Sequence, residues 1–346
     1  MKIMPGNSKL LYSGRIDWSS QKEPVFVYPC TSVKIKFTGN TLKICVKNKS
    51  AYWNNYLGCI VDGEHSSILL PANGTASFDI VVKPSKNNEH TAMFFKRQDS
   101  CHEMTLLWFE IAYGGEILPL PPNPLRKIEV YGDSVSAGEV SEAVQYIGKE
   151  DPVHNGEYSN SWYSYAWIMA RRLNAQIHDI AQGGIALLDN TGWFNGPCYT
   201  GMETIWDKIR YNTALGGVSE WDFSKYTPHV VIVAFGQNDS NPEDYMKEDY
   251  NGEKADRWRR HYRDFLLELR EKYNEAYIIC CTTLLKHDVS WDNSIDEVVN
   301  GINDSRISHY IFKRNGCGTP GHLRIQEAEE MAAELCHYIE SLGIAW

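Results

Sequence analysis

No stretch of this 346-residue chain is long and apolar enough to cross a bilayer, and its first residues, Met1-Lys2-Ile3-Met4-Pro5-Gly6-Asn7-Ser8, lack the apolar core of a secretory leader. The expectation is a soluble, cytoplasmic protein with no membrane partner. Excess positive charge is also missing. Against 34 Lys and Arg stand 44 Asp and Glu, a formal net charge of −10, which argues against a nucleic-acid partner, since phosphate backbones are held mainly by cationic side chains. The Gly183-Gly184 turn carries neither the Gly-x-Gly-x-x-Gly pattern nor the Lys-Ser/Thr of a phosphate loop, which removes nucleotide binding. The nine cysteines include no Cys-x-x-Cys pair, and Cys45, Cys59, Cys280 and Cys281 lie in apolar runs, so they read as reduced core residues. His154, His178, His229, His261 and His287 show no ligand-like spacing and read as structural, so no metal and no cofactor is expected.

What the chain does have is length, apolar content and aromatic rings. At 346 residues two domains are expected, and 11 Trp with 20 Tyr exceed what a core demands, so some rings are expected to face a ligand. Up to about residue 117 the sequence runs in short β-type segments (32–37, 42–46, 77–82, 104–111) with alternating apolar and polar positions, which predicts an antiparallel sandwich of jelly-roll type. The stretch 118–124 then holds Pro119, Pro121, Pro122 and Pro124, unable to join a ladder. The domains are therefore placed at 1–120 and 121–346. Beyond the prolines the rhythm alternates strand and helix: strands near 128–131, 176–180, 230–235 and 276–282, helices near 162–173, 253–273 and 325–342. That alternation predicts a parallel sheet covered by helices on both faces. The basic run 257–263 falls at helical spacing with Asp264, Glu268 and Glu271 and reads as a solvated helix face.

Four landmarks carry chemistry. Gly132-Asp133-Ser134 ends the strand near 128–131, Gly184 follows the next strand, Gly236-Gln237-Asn238-Asp239 follows the third, and His322 precedes the last helix. In an open α/β sheet, positions just past the carboxyl ends of strands converge on one rim. A serine hydroxyl needs a base to take its proton and donors for the oxyanion, so Ser134 reads as nucleophile and His322 as general base. The backbone N–H groups of Ser134 and Gly184, with the side-chain amide of Asn238, read as the oxyanion hole. Asp133 and Asp239 read as turn-orienting residues.

These blocks, in this order, resemble the SGNH (GDSL-type) hydrolases, and a β-sandwich, a proline linker and then Arg126-Lys127-Ile128-Glu129 leading into Gly-Asp-Ser resemble carbohydrate esterase family 2. The resemblance implies a three-layer α/β/α second domain and removal of acetyl groups from plant-polysaccharide sugars, with Ser134, His322, Gly184 and Asn238 in the roles just given. One departure stands out: where the superfamily places an aspartate three residues before the histidine, this chain has Thr319. Either a backbone carbonyl near Thr319 orients the ring or a distant aspartate does so, with Asp292, Asp296 and Asp304 as unranked candidates.

Because the apolar face of a pyranose stacks on indole, Trp193, in the loop after Gly184, and Trp291, in the stretch 288–292 read as a loop, are the substrate-binding candidates. The expected partner is an acetylated oligosaccharide of xylan or mannan type, with homo-oligomerisation left open. A lipase-like or thioesterase-like member of the same superfamily and a carbohydrate-binding protein with a decayed centre are the competing readings.

Overall fold

The computed structural model describes residues 1–346. The chain forms two compact units: Met1–Asn123 with Asn155–Glu157 and Ile209–Glu220, and Pro124–His154 with Tyr158–Lys208 and Trp221–Trp346.

The first unit is built from two six-stranded antiparallel sheets. One runs in the order Ile16–Asp17, Val25–Phe26, His102–Ile111, Leu42–Ser50, Asn73–Ile80, with Lys2–Ile3 also paired to His102–Ile111. The other runs Ile117–Leu118, Ser32–Thr38, Glu89–Lys96, Tyr56–Val61, Glu64–Leu69, with Leu11–Ser13 on Ser32–Thr38. Period-two alternation is visible in Ser32–Thr38, where Val33, Ile35 and Phe37 are fully buried and Lys34 and Lys36 are not. Facing residues of the two sheets share one apolar core, with the Phe94 and Phe109 rings 5.3 Å apart. The excursion at Ile209–Glu220 is fastened within this unit, where Arg210 Nε donates to Glu103 Oε1 at 2.9 Å.

The second unit is a three-layer α/β/α sandwich around a five-stranded parallel sheet. In chain order its main elements are β1 (Arg126–Gly132), α1 (Ser134–Ala137), α2 (Tyr165–Arg172), β2 (Ala175–Ala181), β3 (Val230–Ala234), α3 (Glu253–Lys272), β4 (Tyr277–Cys281), α4 (Val289–Ile302), β5 (Ile307–His309) and α5 (Ile325–Ser341). The sheet order is β2-β1-β3-β4-β5. Strand β3 is the unbroken apolar run Val230-Val231-Ile232-Val233-Ala234, buried throughout, as a strand covered on both faces must be. Helix α2 packs on α5, and α3 packs on α4. Since β2 and β3 lie on opposite sides of β1, the chain reverses its direction of winding there, and the loops after β1, β2 and β3 meet at that switch point.

Helix α4 replaces the loop expected at 288–292. Asp288 caps it by accepting from the Ser290 N–H at 3.1 Å, and Trp291, Ile295, Val298 and Val299 form its buried stripe. All nine cysteines are free, seven of them buried and Cys198 and Cys317 exposed.

Candidate active site

The turn that carries Ser134 follows from three neighbouring residues. Asp133 is the N-cap of the one-turn helix α1, its carboxylate accepting the Val135 N–H at 2.9 Å, and Gly138 ends the helix with φ 75°. Gly132 has to be glycine, because a Cβ there would lie 2.0 Å from Ser136 Oγ. Ser134 therefore sits at the first helical position, 3% exposed, at the carboxyl end of the central strand β1. No protein acceptor takes its backbone N–H or that of Gly184. Both are therefore available as hydrogen-bond donors.

The buried Asp133 carboxylate reaches further than a local turn. It also accepts from Gln237 Nε2 and, at 3.0 Å, from Asn238 Nδ2, tying the loop after β3 to the turn that carries Ser134. The second Asn238 N–H donates to the Ile185 carbonyl, again at 3.0 Å. Asn238 thus links three loops at the switch point, and with both amide protons engaged it does not present the free oxyanion donor expected of it from the sequence. Asp239 extends the same lattice, accepting the Leu187 N–H at 3.0 Å and Trp258 Nε1 at 2.7 Å. Burial pushes the Asp133 carboxyl up to about 6 and that of Asp239 up to about 7. Gly184 adopts φ +72°, and a Cβ on it would meet Trp193 Cβ at 2.7 Å. Its carbonyl accepts the Trp193 N–H at 2.7 Å, which holds the indole beside this turn at 62% exposure.

His322 finds its carboxylate partner in Asp151. Nδ1 lies 2.6 Å from Asp151 Oδ2, and the His322 backbone N–H donates to Oδ1 at 3.0 Å. Arg324 Nη1 holds Oδ1 at 2.9 Å. Gly321 makes the approach feasible, since any Cβ there would lie 2.5 Å from Asp151 Oδ1. Around this pair the structure closes a ring of alternating imidazoles and carboxylates. Asp151 Oδ2 is 3.2 Å from His154 Nε2, His154 Nδ1 is 3.1 Å from Glu139 Oε1, and Glu139 Oε2 is 3.6 Å from His322 Nε2. Glu139 in turn donates its backbone N–H to the Ser134 carbonyl at 2.9 Å, which places the imidazole at the end of α1. The Ser134 hydroxyl and His322 are not hydrogen-bonded; Nε2 faces Glu139 Oε2 at 3.6 Å instead.

The charges reinforce one another. Burial disfavours ionisation of Asp151, but hydrogen bonds from His154 and His322 and the Arg324 cation outweigh it and hold the carboxyl below its usual range. Hydrogen bonds to Asp151 and Glu139 raise His154 to about 9. For His322, burial alone would lower the value, and the carboxylates of Glu139 and Asp151 raise it instead. The imidazole is held between two carboxylates, with Nδ1 on Asp151 and Nε2 facing Glu139.

The other sequence candidates for the acid are corrected. Asp292 pairs with His287 Nε2 at 3.0 Å, Asp296 accepts from Asn300 at 3.0 Å, and Asp304 accepts from Arg270 Nε at 2.7 Å. Thr319 does not orient the ring, as its N–H donates to Glu327 and its hydroxyl accepts from the Gly148 N–H. Trp291 is excluded from sugar contact by full burial, its Nε1 donating to Asp244 at 3.0 Å and its ring edge-on to Trp258 at 5.3 Å. Sequence reasoning missed Asp151, Glu139 and His154. Asp151 and His154 do have the Asp-x-x-His spacing, yet Asp62–His65 and Asp99–His102 share it, so spacing alone could not select them.

Comparison with known proteins agrees with this layout. Residues 12–121 match the family described as carbohydrate esterase 2 N-terminal. The cellulase/esterase CelE of Acetivibrio thermocellus is 29% identical over 345 residues, covering 97% of this chain and 40% of that protein. An acetylxylan esterase / glucomannan deacetylase of Cellvibrio japonicus is 28% identical over 231 residues, covering 66% of this chain and 61% of that protein. The chain thus spans less than two thirds of the length of either curated relative. The solved structure of a family two carbohydrate esterase from Clostridium thermocellum, in complex with cellohexaose, superposes with a TM-score of 0.80 at 27% identity, covering 97% of this chain and 100% of that one. Its first unit is thus matched by the carbohydrate esterase 2 N-terminal family, and nearly its whole length is similar to a solved family two carbohydrate esterase.

Proposed function

We propose that this protein is a serine esterase that removes O-acetyl groups from oligosaccharides derived from plant polysaccharides of the xylan or mannan type, through an acetyl-enzyme intermediate. The observation that carries the reading is the Asp151–His322 pair at 2.6 Å, held beside the short helix that begins at Ser134 through Glu139, which follows that helix. Ser134 Oγ attacks the acetyl carbon while Nε2 takes its proton. The backbone N–H groups of Ser134 and Gly184 stabilise the oxyanion, and the sugar alcohol leaves with the proton from His322. Water then attacks the acetyl-enzyme with His322 again as base, releasing acetate and restoring the serine hydroxyl. Trp193, beside the Gly184 turn and largely exposed, offers the face on which a sugar ring stacks. The name of one curated relative, an acetylxylan esterase / glucomannan deacetylase, supports the choice of acetylated xylan and glucomannan as substrate class.

The test is NMR-monitored deacetylation of a mixed panel of acetylated xylo- and manno-oligosaccharides. Acetate release that disappears in Ser134→Ala with the fold retained is the expected result. Undiminished release by that variant would end the reading.

A further inference from the structure

The ring around His322 has donor atoms suited to an ion as well as to protons. One ligand atom from each of Asp151, His154 and His322 lies within 4.8 Å of the other two. Around a tetrahedral divalent ion with ligands at about 2.0–2.1 Å, neighbouring donor atoms stand about 3.3 Å apart. Asp151 Oδ2 is 3.2 Å from His154 Nε2, close to that spacing, and 2.6 Å from His322 Nδ1, so an ion replacing the intervening protons requires that second pair to open by roughly 0.7 Å. A second, independent feature points the same way. Glu139, which is not among the three, takes the far nitrogen of His154 at 3.1 Å and faces the far nitrogen of His322 at 3.6 Å. That is the outer carboxylate which orients metal-binding imidazoles and raises their basicity. Arg324 occupies Oδ1 of Asp151 and leaves Oδ2 to the ion, and the three side chains are 17–27% exposed, so an ion has a way in.

We propose that Asp151, His154 and His322 bind a divalent transition ion of the zinc class, and that its binding and ester hydrolysis exclude each other. With a metal on Nδ1, a neutral imidazole carries its single proton on Nε2 and can no longer accept one from Ser134. The site is therefore a reversible inhibitory switch placed on the base itself. The second half of this inference rests on His322 acting as that base; the first half does not.

The experiment is calorimetric titration of chelator-treated full-length protein with ZnCl2, run beside fluorophosphonate labelling of the nucleophile. Saturable binding of one Zn2+ per chain is expected, weakened at least tenfold in His154→Gln and in Asp151→Asn. Visible absorption of the protein loaded with CoCl2 gives a measurement that needs no variant: bands of low-coordinate Co2+ are expected, and their absence counts against the site. Saturating Zn2+ should slow labelling of wild type at least tenfold, with recovery on adding chelator, and should lose this effect in His154→Gln. No binding, or binding that both variants leave unchanged, overturns the metal site. Binding with unaltered labelling overturns the switch. A wild type that binds Zn2+ but is never labelled, even without metal, sustains the site while removing the esterase reading, so the two failures are distinct.

Discussion

Asp151 and His322 stand 171 residues apart in sequence, yet their Oδ2 and Nδ1 atoms are 2.6 Å apart. The carboxylate that orients the imidazole comes from the segment between Ser134–Ala137 and Tyr165–Arg172 rather than from the residues just before the histidine. The expected consequence is that Asp151→Asn, which can present an N–H where the ring N–H needs an acceptor, lowers kcat about 10²–10⁴-fold with little change in KM for a small acetyl ester. Asp296→Asn and Asp304→Asn should leave kcat within about twofold, because those carboxylates serve Asn300 and Arg270. Steady-state kinetics of the three variants on one ester decide this. Equal losses in all three would remove Asp151 from the site.

Gly184 carries the second prediction. At φ +72°, with Trp193 Cβ only 2.7 Å from any added Cβ, Gly184→Ala cannot be accommodated without moving the turn. The αL penalty alone is about 1–2 kcal/mol, and the displaced N–H is a proposed oxyanion donor, whose loss typically costs ~10²–10³ in turnover. A fall in kcat larger than the fall in thermal stability explains is the expected result. A variant with wild-type kcat would show that the Gly184 N–H does not reach the oxyanion.

How much of this was legible in the chain depends on distance along it. Val230–Ala234 announces a strand buried on both faces, and the α5 stripe announces a helix, since each needs only its own neighbours. Helix α4 is also written locally, in the spacing of Trp291, Ile295, Val298 and Val299, but most of that spacing lies beyond the stretch 288–292, whose Asp288, Ser290 and Asp292 after a strand read as a loop. Reading that stretch as a loop led directly to Trp291 as a sugar contact. Asp151, Glu139 and His154 were out of reach for a different reason. Their partnership with His322 is created by the fold, and nothing in the residues flanking them distinguishes Asp151 from Asp292.

The two tryptophans offer a clean separation of binding from stability. Trp193→Ala should raise KM for acetylated oligosaccharides several-fold while leaving hydrolysis of a small acetyl ester unchanged, because the ring is 62% exposed and packs little. Trp291→Ala removes a fully buried ring and deprives Asp244 of its indole donor, and should cost about 3–5 kcal/mol by urea unfolding. Comparing both variants on an oligosaccharide and on a small ester, beside their urea midpoints, checks the assignment. Unchanged oligosaccharide kinetics in Trp193→Ala would remove that ring from the substrate site.

The last prediction concerns the carboxylate lattice behind the nucleophile. Burial pushes Asp239 up to about 7, whereas an unfolded chain titrates near 3.9. The folded protein therefore holds this proton more tightly between those values. The stability contributed by the protonated group is complete below about pH 4 and is lost as pH rises through about 7. Asp239→Asn keeps an oxygen for the Leu187 N–H and the Trp258 indole but has nothing to titrate. The stability of wild type relative to this variant should thus fall by on the order of 4 kcal/mol between pH 4 and pH 8. Urea unfolding of both proteins across that range measures the difference. A gap that does not change with pH would mean that Asp239 titrates alike folded and unfolded, and that its hydrogen bonds from Leu187 and Trp258 offset the whole penalty of burial.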